Sequence, residues 1–535
     1  MQEIGQSRVW TKLFGKNEES LLRLKWAFFG TLFCCLAAHG FVYFNFFPRH
    51  DALNYLNEHA SGWEAFLGRY VQLIWGTIRG QWLTPWMNGI MTILFMTGAS
   101  FLISEVLEHK DRWVIFLSAG LMSVNMTMLM LHSSFLYVVD TYTLAALAAC
   151  AGVYLLVRCS GWKSRAGAVL CLFVALGIYQ SYILMAIVLL MFVVIRHALN
   201  EKDFLKKHIR QYLGWAGTFA VTAAVYFSIY MLIGLIVNIV LGVDASMLDS
   251  YNNPANLTDM KLSRVMKCIQ YAYANFAKFF FGFEKPFLMI GVANILLCVI
   301  AGLLIAIHVV RARLPLFNVL IVGVLLLLFP MVSQLMSIFS YLETIHFLTV
   351  HALFLIYPGL LSICSQLRVS SSGTKCNRIY NRAPFRLCSL ILCGVVLFLG
   401  IRTSNECYTY YRIQYDATLS HVTRIMDEID RVPDYNCSET EIVVIGELSD
   451  AMVGLEQPEV CRWMFGNAKS SATYTLPLMK MIHALGEPMN ICLDDSVTQE
   501  YEKREDVQNM PGYPQTGYCQ MIDDRIVLKL SPDEE

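Results

Sequence analysis

A succession of long apolar segments fills most of the first 401 residues of this chain and constrains its fold more than any other feature. A helix of about 20 apolar residues spans the hydrocarbon core of a bilayer. Segments of this kind lie at 25–47, 84–106, 113–131, 138–157, 213–242, 287–310, 315–338, 344–365 and 386–401. Only 15% of all residues are charged, against about 25% in soluble proteins. The sequence therefore predicts an α-helical polytopic membrane protein.

One further apolar stretch, residues 166–195, is too long for one ordinary span and contains a polar centre at Tyr179 and Gln180. If this stretch crosses the membrane twice, 22 of the 41 Lys and Arg residues lie in cytoplasmic segments, 8 in outer loops and 11 after residue 401. That asymmetry is the one that membrane proteins show. We therefore predict two half-length helices that meet near Tyr179 and Gln180 beside a water-filled cavity, and about eleven spans in all.

An odd number of spans places the polar tail outside the cytoplasm and divides the chain into a membrane domain, 1–401, and a C-terminal domain, 402–535. In the tail, Thr418 to Arg431 has the apolar spacing of a helix, while Glu441 to Gly446 and Ile522 to Leu530 are typical of strands. We predict a small extracytoplasmic α/β domain. One or two disulfides are compatible with its cysteines, whose connectivity stays open; they are Cys407, Cys437, Cys461, Cys492 and Cys519.

The candidate chemistry begins where the first apolar segment ends, at Arg49, His50 and Asp51. Residues 52–80 have the pattern of amphipathic helices that lie on a membrane surface, which places Asp51 at the level of lipid phosphates. A carboxylate there can take a proton from an acceptor hydroxyl as a general base. The alternative is that Asp51 caps the following helix. We assign Arg49 and His50 to substrate binding beside it.

Other candidate residues lie at the same predicted edge of the membrane. Asp140 opens a span and is either a helix-terminal residue or a second acidic site residue. Glu343 and His346 are one helical turn apart, so that a substrate contact, a solvated helix end and a metal site are the alternatives for them. Arg69 is placed to clamp a phosphate or to snorkel to headgroups. Tyr179 and Gln180 either contact a sugar or pack.

Several short motifs resemble a known family. They are Pro48-Arg49-His50-Asp51, Phe66-Leu67-Gly68-Arg69-Tyr70, Tyr137-Val138-Val139-Asp140-Thr141-Tyr142 and Gly177-Ile178-Tyr179-Gln180-Ser181. With the polar tail, this arrangement is similar to membrane glycosyltransferases of the GT-C class. Within that class it most resembles the bacterial Gtr type II glucosyltransferases of O-antigen serotype conversion.

The resemblance implies transfer of a sugar, with glucose favoured, from a polyprenyl-phosphate donor to a cell-surface or lipid-linked glycan. The reaction would occur at the outer side of the cytoplasmic membrane, among its lipids. Asp51 would be the catalytic base, Asp140 a second catalytic acid and Arg69 the ligand of the donor phosphate. No cofactor is required by the sequence, and a divalent metal beside the carboxylates stays open.

The alternative function is a transporter or flippase of lipid-linked sugars. Such a protein should show broken segments in two matching halves and ionisable residues near the midplane of the membrane. This sequence has one evident break, and its carboxylates gather at one edge, which favours an enzyme. The net charge of zero gives no reason to expect a nucleic-acid partner.

Overall fold

The structure is a computed structural model that describes residues 18–58, 63–241, 262–336, 345–366, 382–448, 455–464, 470–472, 474–486 and 488–530. The membrane part begins with a long helix, three short helices and a second long helix. They are α1 (Glu18–Phe44), α2 (Asp51–Asn54), α3 (Trp63–Phe66), α4 (Tyr70–Arg79) and α5 (Pro85–Val106). The short helices confirm the prediction for loop one, residues 45–84. On α4, Ile74 and Ile78 are exposed whereas Gln72 is buried, as expected for a helix at a membrane surface.

The following helices contain two breaks. They are α6 (Arg112–Ser123), α7 (Met126–Ser134), a 3-10 turn (Leu136–Val138), α8 (Val139–Arg158), α9 (Trp162–Ile178), a 3-10 turn (Gln180–Tyr182), α10 (Ile183–Asn200) and α11 (Phe204–Leu241). α6 and α7 are bent by 42°, because the side chain of Asn125 caps α7 by accepting a hydrogen bond from the backbone of Met128.

The break that was predicted near Tyr179 and Gln180 is confirmed. The two helices are nevertheless longer than half a span, with 17 residues in α9 and 18 in α10. They extend beyond the apolar stretch 166–195 because the flanking Lys, Arg and Ala residues are good helix formers.

The remaining elements of the membrane part begin with one helix that was not predicted from the sequence, and the last membrane helices follow it. They are α12 (Leu262–Phe280), a 3-10 turn (Lys285–Phe287), α13 (Leu288–Ala312), α14 (Leu316–Ser333), 3-10 turns (Phe347–Thr349 and His351–Leu355), α15 (Ile356–Gln366) and α16 (Arg382–Asp430). α16 has 49 residues and is about 74 Å long at 1.5 Å per residue, so its polar half projects beyond the bilayer. The predicted boundary after residue 401 therefore falls inside one helix, and the predicted tail helix is the C-terminal end of α16.

Within the described residues, eight helices are long and apolar enough to cross a membrane, or nine if the bent pair α6 and α7 counts as one span. Helix α9 has 17 residues, and the apolar helix at His351–Ser365 is also short. The chain is therefore a polytopic helical membrane protein, and the number of eleven spans stays a prediction.

The C-terminal residues form a small α/β unit on the C-terminal end of α16. Its elements are β1 (Glu441–Ile445), a 3-10 turn (Glu459–Trp463), α17 (Thr475–Leu485), α18 (Asp495–Glu502), α19 (Glu505–Gln508), β2 (Cys519–Ile522) and β3 (Arg525–Lys529). The sheet order is β1-β3-β2, with β1 parallel and β2 antiparallel to β3. The single strand predicted for 522–530 is instead part of a hairpin, because Asp523 turns the chain with a φ of 55°.

One apolar core joins this unit to both α16 and loop one. Val422, Ile425 and Ile429 of α16 pack with Ile442 of β1, and Leu53 of α2 belongs to the same core. Each such side chain contributes about 1.5–3 kcal/mol when it is fully buried. The burial of Leu53 therefore fixes the C-terminal unit beside the residue that the sequence analysis singled out, Asp51.

Candidate functional site

Asp51 is the first residue of α2, and its side chain does not cap that helix. The N-cap position belongs to His50, and no side-chain capping hydrogen bond is present there, so the capping interpretation is wrong. The Oδ1 atom of Asp51 instead accepts a hydrogen bond from the hydroxyl of Tyr474 at 3.3 Å. That hydroxyl accepts a further hydrogen bond from the side-chain amide of Asn54 at 2.5 Å. The carboxylate is thus held by the C-terminal unit rather than by its own helix.

Burial raises the pKa of Asp51 to about 6, and the hydrogen bond from Tyr474 acts in the opposite direction. The cause is that a carboxylate loses hydration when it is removed from water. A general base is most effective when its pKa lies near the pH at which the enzyme works. Asp51 is therefore mostly ionised at neutral pH and still able to accept a proton.

His50 holds the turn before Asp51 in an unusual backbone conformation. Its φ is 50°, a value that costs a non-glycine residue of order 1–3 kcal/mol. The conformation is stabilised by a hydrogen bond from its backbone N–H to the carbonyl oxygen of Ser471 at 3.0 Å. Burial and the charge of Arg49 lower the pKa of His50 to about 4. His50 is therefore neutral at pH 7, although its Nε2 lies 3.4 Å from Asp51.

Arg69 follows a turn that only glycine can form. Gly68 has a φ of 75°, and a Cβ atom there would lie 2.3 Å from the hydroxyl oxygen of Tyr226. Gln180 braces the same turn, since its Nε2 donates hydrogen bonds to the carbonyl oxygen of Leu67 at 2.5 Å and to the hydroxyl of Tyr226 at 2.8 Å. These contacts support a positioning role for Gln180, and the sugar contact that was predicted for it stays a prediction.

The guanidinium of Arg69 is surrounded by aromatic rings. Its Cζ atom lies 4.6 Å from the centre of the Tyr179 ring, and the group interacts electrostatically with Tyr142, Tyr179, Tyr137 and Glu64. Its Nε is buried and makes no hydrogen bond within the described residues. A buried donor without an acceptor is costly, so this cation is suited to an anionic ligand.

Five tyrosines form what we call the tyrosine cluster: Tyr55, Tyr137, Tyr142, Tyr179 and Tyr182. Tyr55 stacks on Tyr137 with ring centres 4.2 Å apart, and Tyr142 stacks on Tyr179 at 4.7 Å. The hydroxyl of Tyr55 donates a hydrogen bond to Glu64 at 3.1 Å.

Tyr142 interacts with both acidic and cationic side chains of the candidate site. Its hydroxyl interacts electrostatically with Arg69, Glu64 and Asp51, and Tyr137 also interacts with Asp51. The carboxylate of Asp51 and the guanidinium of Arg69 thus both lie within electrostatic range of Tyr142. That arrangement, apolar walls with a few fixed polar groups, is typical of binding sites for small molecules.

Asp140 is completely buried and anchors the surface helix α4 to α8. One carboxylate oxygen accepts a hydrogen bond from the indole of Trp75 at 2.7 Å, and the other lies 2.8 Å from Arg79. Arg79 also donates a hydrogen bond to the carbonyl oxygen of Tyr137. These contacts support a positioning role, because they hold α4 and the end of loop one against the tyrosine cluster. The catalytic role predicted for Asp140 stays a prediction.

We expect Asp140→Asn to lower the melting temperature of the protein. The change leaves the buried cation of Arg79 without its charge partner, which costs about 3–5 kcal/mol. The exposed pair of Asp416 and Arg412 supplies the control, since Asp416→Asn should change stability by less than about 1 kcal/mol. Thermal unfolding in detergent measures both variants. Lost activity at unchanged stability would instead support catalysis by Asp140.

Arg49 lies inside the protein rather than toward a ligand. Its guanidinium donates a hydrogen bond to Ser134 at 3.1 Å and lies 4.0 Å from the centre of the Tyr411 ring. It thereby connects the end of α1 with α7 and α16. The substrate contact predicted for Arg49 stays a prediction, and its observed contacts are structural.

His346 has an extended backbone before a 3-10 turn, so it is not part of the helical turn that was predicted to pair it with Glu343. Its ring interacts electrostatically with Arg69, which brings this part of the chain to the candidate site. Glu343 lies outside the described residues. Within those residues, no group of three or more His, Cys, Asp or Glu side chains is arranged to hold a metal ion.

A small apolar cavity of about 60 Å³ lies beside His346, whose two neighbours in the chain line it. It is lined by aromatic and aliphatic side chains of several helices, among them Leu121, Phe279, Phe287, Ile345 and Phe347. Val460 of the C-terminal unit also lines it. A cavity of this composition suits apolar groups rather than polar ones.

Sequence reasoning did not assign a role to Tyr55, Glu64, Tyr137, Tyr142 or Tyr474. The first four lie within or beside the motifs described above. The concentration of tyrosines in these parts of the sequence could have indicated that they belong to the site. Tyr474 gave no signal, because it lies 423 residues from Asp51 in the chain and only the tertiary fold brings the two together.

A family model described as glucosyl transferase GtrII matches residues 40–361, which is more than half of the chain. The matched region includes Asp51, Arg69, the tyrosine cluster and His346, but not Tyr474. No curated protein and no solved structure matches the chain.

Proposed function

Since the chain belongs to the glucosyl transferase GtrII family, which confirms the resemblance seen in its motifs and identifies it as a glycosyltransferase, we propose which substrates it joins. The donor is a sugar, with glucose favoured, on polyprenyl phosphate. The acceptor is a cell-surface glycan or its lipid-linked precursor at the outer side of the cytoplasmic membrane. The observation that carries this proposal is Arg69, whose buried Nε makes no hydrogen bond within the described residues and whose charge acts on Tyr142, as does that of Asp51.

In the proposed reaction, Asp51 is the general base. An acceptor hydroxyl transfers its proton to the Asp51 carboxylate while its oxygen bonds to the anomeric carbon of the sugar. The bond between that carbon and the phosphate oxygen breaks, and polyprenyl phosphate leaves. The pKa of about 6 for Asp51 suits this step at neutral pH.

Arg69 stabilises the leaving group in this proposal. The departing phosphate gains one negative charge as the bond breaks, and a guanidinium binds phosphate with two parallel hydrogen bonds. The aromatic walls around Arg69 exclude water, which strengthens the interaction between the charges. Tyr179, which lies under the guanidinium, keeps the cation in place and forms part of the surface for the sugar.

In this proposal, the apolar cavity beside His346 receives the part of the polyprenyl chain that lies nearest the phosphate. Ile345 and Phe347 line the cavity, and His346 between them interacts with Arg69, so a phosphate at Arg69 would have its lipid chain directed into the cavity. The C-terminal unit then covers the opposite side of Asp51 through Tyr474 and is placed to receive the acceptor glycan.

A reconstituted transfer assay tests this function. Purified protein in liposomes should transfer radiolabelled glucose from polyprenyl-phosphate glucose to a lipid-linked glycan, and a nucleotide-sugar donor should give no product. Transfer from the nucleotide sugar alone would contradict the proposed donor. The transporter interpretation predicts movement of the intact donor across the bilayer without cleavage, and family membership gives it no support.

We expect the transfer rate to fall as the pH decreases through about 6. The proposed base must be ionised, and the ionised fraction of a group with a pKa of about 6 decreases below that pH. The measurement is the initial rate between pH 4.5 and 8 at saturating donor. A rate that stays constant down to pH 4.5 would rule out Asp51 as the base.

Tyr474→Phe should move this profile to higher pH. The hydrogen bond from Tyr474 lowers the pKa of Asp51, so its removal raises that pKa, while the rate well above the midpoint stays closer to that of the wild type. Tyr501→Phe is the matched control, because Tyr501 lies in the same C-terminal unit and is in contact with Arg504 and Arg525 instead. An unshifted profile for Tyr474→Phe would exclude the positioning role.

A further inference from the structure

Two cysteines meet where the C-terminal unit packs against the outer half of α16. Cys407, on α16, and Cys461, in the 3-10 turn Glu459–Trp463, interact with each other. Both residues are completely buried, and both belong to the same apolar core. They lie on separate elements that pack against each other, which is the arrangement that a disulfide between two elements requires.

The surroundings of this pair connect it to the candidate site. Tyr411 interacts electrostatically with both cysteines, and so does Arg49. Arg49 lies over the ring of Tyr411 and precedes His50 and Asp51 in the chain. A constraint on the positions of the two cysteines therefore also restrains the turn that carries the proposed base, Asp51.

We propose that Cys407 and Cys461 are joined by a disulfide in the mature protein. The inference rests on the proposed position of the C-terminal unit outside the cytoplasm, where disulfides form and persist. The two thiols lose two electrons and two protons, and the disulfide of a thiol oxidoreductase in that compartment accepts them and becomes two thiols. Because the folded protein buries both cysteines, the oxidation precedes the docking of residues 459–463 onto α16.

Counting of reactive thiols tests this proposal. The protein is denatured and treated with a polyethylene-glycol maleimide before and after reduction, and the number of adducts is read from the shift on a gel. Reduction should add two adducts to the wild type and none to the double variant Cys407→Ser/Cys461→Ser. A wild type that is fully reactive before reduction would overturn the proposal. So would a double variant that still gains two adducts.

Labelling of Cys437 separates this inference from the proposed topology. Cys437 is partly exposed in the C-terminal unit, where its thiol lies 3.5 Å from the carbonyl oxygen of Pro488. A membrane-impermeant maleimide should label it in intact spheroplasts, with Cys437→Ser as the control and permeabilised cells as the reference. Labelling together with two free thiols at 407 and 461 would overturn only the disulfide. Labelling only after permeabilisation would overturn both the outer position and the disulfide.

Discussion

Asp51→Asn is expected to reduce the rate of sugar transfer by at least about a hundredfold, the usual range for loss of a general base. Asparagine has nearly the same shape as aspartate and still accepts the hydrogen bond from Tyr474, but it cannot take a proton from the acceptor. The protein should remain folded. Burial raises the pKa of Asp51, which means that the folded state disfavours its charge at neutral pH, so the variant should unfold at an equal or higher temperature.

The control for this variant lies in the same loop. Glu58 is exposed and forms an ion pair with Lys480, so Glu58→Gln removes a carboxylate of loop one without touching the tyrosine cluster. Initial rates and melting temperatures are measured for both variants. A rate for Asp51→Asn within fivefold of the wild type would remove Asp51 from the proposed chemistry, whereas an equal loss in Glu58→Gln would indicate a general effect of charge in loop one.

Arg69→Gln is expected to decrease kcat/KM for the lipid-linked donor by about 10²–10³-fold, the loss that follows removal of one strong donor to a developing anion. Glutamine is polar but uncharged, so the phosphate loses its counter-charge. Arg69→Lys should recover part of this loss, because lysine retains the charge but not the planar pair of donors. Arg431→Gln, at the exposed residue that follows α16, is the control.

A binding measurement separates a lost phosphate site from a folding defect. A saturating ligand stabilises the folded state by about 2.7 kcal/mol at 100 times its dissociation constant. Polyprenyl phosphate should therefore raise the melting temperature of the wild type and of Arg431→Gln, but not that of Arg69→Gln. Equal stabilisation of Arg69→Gln would show that the phosphate binds elsewhere.

Local patterns correctly predicted a polytopic helical membrane protein and its broken segment, because apolar length and a polar centre are properties of neighbouring residues. They did not predict the length of α9 and α10 or the continuity of α16. Helix propensity continues a helix through residues that hydropathy alone excludes, and α16 crosses from apolar to polar composition without ending.

The candidate site was predictable only where its residues lie close together in the chain. Asp51 and Arg69 were identified from their position at the end of a span and after a glycine. The capping interpretation of Asp51 was wrong because α2 begins at Asp51 itself, whereas a capping role requires the helix to begin at Ala52. The partners of Asp140, Trp75 and Arg79, lie on another helix, and Tyr474 lies in another domain. Contacts of this kind depend on packing, which no local pattern contains.

The hydrogen bonds from Tyr474 and to Ser471 also determine when a newly made chain can complete its candidate site. Loop one leaves the ribosome early, whereas these two residues are translated more than 400 positions later. Until they arrive, His50 lacks the carbonyl oxygen that holds its backbone and Asp51 lacks its hydroxyl partner. A chain that stalls before its tail is complete therefore lacks the contacts that hold His50 and Asp51 in place.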